Sequence, residues 1–255
     1  MNLHVCLLKE NDCYKAGKTM VPKGVMVHST GANNPNLRRY VGPDDGLLGE
    51  SSTRHWNQSG IGACVHAFIG RQKDGTVAVY QTLPWTMRGW HCASGPKGSG
   101  NNTHISFEIC EDDLSDERYF QEVYAQAVEL TAYLCRTYRL DPEADGVVIC
   151  HQEGFQRGIA SNHADVLHWF PKYGKTMDDF RADVAQAMEE ENVTQEQFNK
   201  MMETYLTSRT KLAISDWAKE PVQQAVAKGI TDGKSPQGFA TRQEVAAMIN
   251  AALKA

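Results

Sequence analysis

The chain of 255 residues is 41% hydrophobic and 22% charged, which suits a folded protein with a substantial core and excludes a largely disordered one. A formal net charge of -5, without any basic arm or stripe, argues against nucleic acid as a partner. No apolar run approaches the roughly 18 residues of a membrane span, and the opening residues lack the basic and apolar stretches of a secretory signal, so synthesis without an export signal is expected.

Taken in chain order, the first half is rich in short strand signals. Residues 24–28 read as a buried strand ending at His28. Residues 65–70 and 76–81 flank Lys73-Asp74-Gly75, where glycine can supply the positive φ of a hairpin turn. Residues 104–110 alternate, with Ile105, Phe107 and Ile109 on one face and His104, Ser106, Glu108 and Cys110 on the other. A stripe of Phe120, Val123, Ala127, Leu130 and Leu134 has the 3.6-residue period of a helix, and Asp141-Pro142 ends that region. Residues 146–150 form another apolar strand running into His151, and 177–188 close the unit with a helix. Strands interleaved with a long helix predict an α/β fold around one sheet. Seven cysteines are an odd number, and Cys64, Cys110, Cys135 and Cys150 lie in apolar segments, where they are expected as reduced core residues.

Beyond Glu189-Glu190-Glu191 the pattern changes. Thr194 to Gln197 has the form of a capping box, and Val193 is placed to staple onto Phe198, ahead of a helix with Met201, Met202 and Tyr205. A last unit carries Trp217, Val222, Ala225 and Val226 on one helix, with Gly229 as its C-terminal cap and a turn at Asp232-Gly233. A second box at Thr241-Arg-Gln-Glu244 opens a helix with Val245, Met248 and Ile249. The expected division is 1–188, a helical linker over 189–213, and a small all-α unit over 214–255. About 40 residues bury only a thin core, so this last unit is expected to dock on something.

Nine histidines invite a chemical reading. His28 stands at one strand end, His151 follows another, and Asn162-His163-Ala164-Asp165 lies in the loop after it, with His168 close behind. Imidazole nitrogen and carboxylate oxygen suit zinc, and a catalytic zinc takes three protein ligands and keeps an open position. His28, His151 and Asp165 supply such a set if the two strands are neighbours. The same residues also fit a core histidine and a solvated loop. Glu108 is a general base if it stands beside such a metal, and otherwise a structural partner for a cation.

Val27-His28-Ser29-Thr30, Val65-His-Ala-Phe-Ile69, Gly89-Trp-His-Cys-Ala93, Asn101-Asn102, Ile105-Ser-Phe-Glu-Ile109 and Cys150-His151, in that order, resemble the type-2 N-acetylmuramoyl-L-alanine amidases. These share a fold with the peptidoglycan recognition proteins. The resemblance spans roughly 20–185 and implies a central mixed β-sheet flanked by helices. It implies a zinc hydrolase that cuts the amide between N-acetylmuramic acid and L-alanine in peptidoglycan, with Zn2+ on His28, His151 and Asp165 and with Glu108 as base. A lysine usual two residues before the third ligand is His163 here, and the following Pro-Gly is Val166-Leu167. His163 is therefore expected to help stabilise the oxyanion, while His163 and His168 remain alternatives to Asp165 as ligand. His66, His91 and Trp90 are expected to line the cleft and contact substrate, and Trp85 and Trp169 are further sugar-stacking candidates. The stretch 161–177 looks like the variant of Gram-positive phages and their hosts, which implies an endolysin or autolysin acting at the wall after release. Two rivals share most of these residues: a non-catalytic peptidoglycan-recognition protein, and a zinc peptidase cutting within the stem peptide.

Ser215-Asp-Trp-Ala218, Ala227-Lys-Gly-Ile-Thr-Asp-Gly233 and Ala240-Thr-Arg-Gln-Glu-Val245 resemble one S-layer-homology motif. That resemblance implies anchoring to a secondary cell-wall polymer; a stabilising helical hairpin without a ligand is the alternative.

Overall fold

The computed structural model describes residues 1–42, 45–50, 52–190 and 195–254. In chain order the elements are β1 (Leu3–Val5), α1 (Asp12–Ala16), β2 (Gly24–Ser29), β3 (Ala67–Arg71), β4 (Val77–Gln81), β5 (His104–Ile109), α2 (Glu117–Tyr138), β6 (Val148–Cys150), α3 (His151–Gln156), α4 (Met177–Glu190), α5 (Gln195–Thr210), α6 (Lys219–Ala227) and α7 (Arg242–Ala252). Two compact units result, Met1–Glu191 and Asn192–Ala255. Among the described residues no helix is long and apolar enough to cross a membrane.

The first unit is built on one mixed sheet in the order β1-β4-β3-β5-β2-β6. Only β3 and β4 pair antiparallel, across the hairpin whose Gly75 takes φ 89°. The other neighbours are parallel, so helices and loops must carry the chain back and both faces are covered. Strand alternation then separates two environments. Val25 and Val27 of β2, with Ile105, Phe107 and Ile109 of β5, face a core completed by the stripe of α2. Phe180 and Val184 of α4, together with Trp169 and Phe170, close that core. Burying each such side chain contributes about 1.5–3 kcal/mol.

The opposite face carries Met26, His28, Ser106 and Glu108, with α3 against Met26 and a second apolar cluster around Phe68 and Tyr80 on the same face. Gly24 allows β2 to approach its neighbours there: a Cβ at this position would stand 2.7 Å from the His104 ring and collide with the carbonyl of Val147. His104 in turn bonds Gly146 O from Nε2 at 3.0 Å, tying β5 to the turn before β6.

Two differences from the sequence reading concern the early part of the chain. The edge strand β1 and the one-and-a-half-turn α1 carry no periodic signal because they are too short. Cys64, expected as a reduced core thiol, is disulfide-bonded to Cys13, which lies 51 residues away on α1. Cys110, Cys135 and Cys150 are free and buried, as small hydrophobes.

In the second unit, α6 ends in a left-handed Gly229, with Ile230 N bonded to Ala225 O at 2.9 Å. The box at α7 is formed in both directions, Glu244 N to Thr241 Oγ1 at 3.2 Å and Thr241 N to Glu244 Oε2 at 2.6 Å. The expected box at Thr194 and the staple from Val193 lie outside the described residues. Helix α5, read from sequence as a linker, contacts the segment after it: Arg209 Nε donates to Gln237 O at 3.2 Å and Tyr205 packs near Phe239. Among the described residues of this unit, none is buried.

Candidate metal centre and catalytic cleft

Sheet register assembles the site. In the parallel pair of β2 and β5, His28 is the direct partner of Glu108, so both side chains project from the same face. On the other side of β2, Val27 pairs with Cys150, which sets His151, the first residue of α3, next to His28. The entry to α3 is fixed by Glu153, whose carboxylate accepts from Cys150 N at 3.0 Å while Arg181 of α4 holds it at 3.2 Å. Asp165 comes from the loop beyond α3, held in place because Val166, Trp169 and Phe170 are buried in the main core.

Three ligand atoms converge. His28 Nδ1 lies 3.1 Å from Asp165 Oδ2 and 3.0 Å from His151 Nδ1, and His151 Nδ1 is 3.6 Å from Asp165 Oδ2. Among the described residues this is the only trio of histidine, cysteine and carboxylate groups close enough to share an ion. A tetrahedral zinc with bonds of about 2.0–2.1 Å needs ligand atoms about 3.3–3.4 Å apart, which the three separations straddle. The residues therefore fit a divalent ion with nitrogen and oxygen preference. His28 is 1% exposed, and burial holds its pKa below the usual imidazole range. Burial pushes the Asp165 carboxyl up, but the hydrogen bonds and charges of His151 and His28 outweigh it and keep that group ionised.

The trio opens into a cleft of about 830 Å3, within the range of small-ligand sites. Glu108 lines it, with Oε2 buried and without a hydrogen-bond partner. Burial, then the nearby Asp165 and Glu111 carboxylates, raise its pKa well above the ordinary value. A cation held by the trio would offset that repulsion and favour the ionised carboxylate, which can accept a proton.

His163 also lines the cleft and is exposed, its ring stacked on His151 at 4.6 Å between centroids. His168 does not join the trio; its Nε2 bonds the buried Glu111 at 3.0 Å. Trp90 and His91 line the cleft. His66 does not. It is fully buried, its Nε2 donates to Met87 O at 2.7 Å and its Nδ1 accepts from Ser106 N at 3.0 Å. Burial lowers its pKa to about 4, so it is a neutral core histidine. Trp169 packs in the core against Tyr119 and Phe120, and Trp85 stacks over His66, so neither reaches the cleft. Glu111 went unnoticed in the sequence: it follows the end of β5, where alternation stops carrying information, and it also accepts from Gly31 N at 3.1 Å.

Residues 18–167 match the family described as N-acetylmuramoyl-L-alanine amidase. Over 107 residues the chain is 27% identical to the N-acetylmuramoyl-L-alanine amidase CwlH of Bacillus subtilis (strain 168), a match covering 37% of this chain and 42% of that protein. The chain thus spans less than half the length of that curated relative. The fold is similar to the solution structure of the PlyG catalytic domain, with a TM-score of 0.51, 22% identity, and coverage of 74% of this chain and 96% of that one. It is also similar to the structure of a mutant PlyL, with a TM-score of 0.50, 22% identity, and coverage of 72% of this chain and 99% of that one.

Proposed function

The chain belongs to the N-acetylmuramoyl-L-alanine amidase family, and we propose that it hydrolyses the amide between N-acetylmuramic acid and L-alanine of bacterial peptidoglycan. The observation that carries this reading is the convergence of His28 Nδ1, His151 Nδ1 and Asp165 Oδ2 beside Glu108 in an open cleft. His28, His151 and Asp165 would hold Zn2+. When bound, zinc supplies Lewis acidity, activating water near neutral pH and polarising a carbonyl oxygen.

The protein's own groups carry the protons. Glu108 accepts a proton from the attacking water as its oxygen bonds to the lactyl carbonyl carbon, and returns it to the nitrogen of L-alanine as the C–N bond breaks. The products are a lactyl carboxylate and a free L-alanine amine. His163, exposed at the mouth of the cleft, donates an N–H to the developing oxyanion in the role of the family's lysine. Trp90 offers an apolar face for sugar or peptide.

An endolysin or autolysin acting at a Gram-positive wall after release fits this chemistry. The second unit serves as an anchor for a secondary cell-wall polymer. Its Trp217 is 82% exposed beside Phe239 and Arg209 around a hollow of about 430 Å3, which supports an aromatic contact with sugar.

Mass analysis of fragments released from purified Gram-positive peptidoglycan tests the main reading, with Glu108→Ala alongside. New L-alanine amino termini, absent with the variant, are expected. Cuts inside the stem peptide would indicate a peptidase, and binding without products a recognition protein. Retention of the full chain on purified walls, reduced by Trp217→Ala, is expected for the anchor.

A further inference from the structure

Both histidines of the trio turn Nδ1 inward, which requires each to carry its proton on Nε2 when a metal is bound. The partners of those two outer nitrogens hang from one short turn. His28 Nε2 lies 2.9 Å from His91 Nδ1. His151 Nε2 lies 3.3 Å from Ser161 Oγ, and Ser161 is held on the carbonyl of Cys92, its N donating at 2.9 Å and its hydroxyl at 3.5 Å. The turn itself is clamped by the buried Asn101. Its Oδ1 accepts from His91 N at 2.8 Å and Cys92 N at 3.2 Å, and its Nδ2 donates to Ala93 O at 3.3 Å. Ala93 adopts φ 54°, a left-handed conformation that costs a non-glycine residue roughly 1 kcal/mol and persists only where neighbours enforce it.

We infer that the turn 91–93, clamped by Asn101, is the outer frame of the metal site, and that His91 is a positioning residue that selects the metal-competent tautomer of His28. The inference rests on the metal site proposed above. Asp165 stands 3.1 Å from His28 Nδ1 and draws the imidazole proton onto that atom, where it blocks the lone pair a metal needs. With its own proton on Nε2, an atom buried without a hydrogen-bond partner, His91 leaves Nδ1 free to draw the same proton to the far side of the His28 ring. With His91 as acceptor, Nδ1 of His28 is left bare; without it, the Asp165 tautomer wins. His91, which lines the cleft, thereby also supports the ligand His28, a role beyond the substrate contact expected from sequence. Outer partners of this kind are worth about 10–100-fold in metal affinity.

The test uses the full chain with His91→Asn, whose amide oxygen can replace the Nδ1 acceptor, and His91→Gln and His91→Phe, which cannot place one there. Asn101→Ala and Ser161→Ala examine the clamp and the second partner. Zinc affinity is measured by chelator competition, and the tautomer of His28 in metal-free protein by long-range 15N–1H spectra. Expected are near wild-type affinity for His91→Asn and losses of about 10–100-fold for His91→Gln and His91→Phe. The His28 proton should move from Nε2 to Nδ1 in those two. Smaller losses are expected for Asn101→Ala and Ser161→Ala. Unchanged affinity and tautomer in His91→Gln overturn the inference and leave the proposed function standing. A wild-type chain that takes up no zinc overturns both. Should His91→Phe fail to fold, the contrast between the Asn and Gln variants still decides.

Discussion

The two units solve the same problem of order in opposite ways. In Met1–Glu191 a six-stranded sheet carries the main core on one face and, on the other, a cleft beside a second apolar cluster around Phe68 and Tyr80. In Asn192–Ala255 helix ends are capped with care, yet no described residue is buried and Trp217, Phe239 and Ile249 stay open to solvent. Caps and turns are local and need no core, whereas the convergence of His28, His151 and Asp165 exists only because packing fixes three distant segments at once. Chemistry that depends on ångström placement sits on the first kind of structure, and a surface suited to contact on the second.

Four tests sharpen that contrast. The largest effect is expected from Glu108→Gln, which removes the proposed base. Turnover should fall by about 10²–10⁴-fold while zinc content is unchanged. Because Glu108 Oε2 is buried without a partner, the melting temperature should not drop, which a thermal scan of the same sample checks. A comparable drop in stability would instead mark Glu108 as structural.

Next, truncating a core side chain should separate the units. Phe180→Ala is expected to cost about 3–5 kcal/mol in urea unfolding, whereas Ile249→Ala, at a position 56% exposed, should stay within about 0.5 kcal/mol. A large loss at Ile249 would reveal a core in the second unit that the contacts do not contain.

Acid should act on the first unit through His66. Its folded pKa of about 4 lies below the unfolded value of about 6.5, so the proton prefers the unfolded chain. The associated stability is complete above pH 6.5 and is lost as pH falls toward 4, up to about 3 kcal/mol. His66→Gln keeps a donor for Met87 O and should flatten the pH dependence of unfolding across that window. The smallest effect is local: Thr241→Ala should cost about 1 kcal/mol, read as faster amide exchange in the first turn of α7.

What the sequence revealed follows the same division between local and distant. The hairpin at Gly75, the alternation of β5, the stripe of α2 and the box at Thr241 are written within a few residues of themselves, and each is found in the fold. Distant relations were less accessible. Cys13 and Cys64 are joined across 51 residues, and no spacing rule links them. His66 and His28 both stand at strand ends with apolar flanks; only three-dimensional packing places one in the core and the other at the cleft. Strand-end positions and the alternation of β5 made His28, His151, Asp165 and Glu108 candidates, and the ordered family resemblance joined them into one expected site. Glu111 escaped because it sits just past a strand, in an acidic run that reads as an exposed loop but is 4% exposed.

Metal analysis of the purified full chain, with turnover on muramoyl-peptide measured on the same samples, tests the central claim most directly. Wild type, Asp165→Ala and His163→Ala suffice. The proposed site predicts equimolar zinc in wild type, loss of both zinc and turnover in Asp165→Ala, and retained zinc with strongly reduced turnover in His163→Ala. Zinc that survives Asp165→Ala but is stripped by His163→Ala would contradict it and move the third ligand to His163.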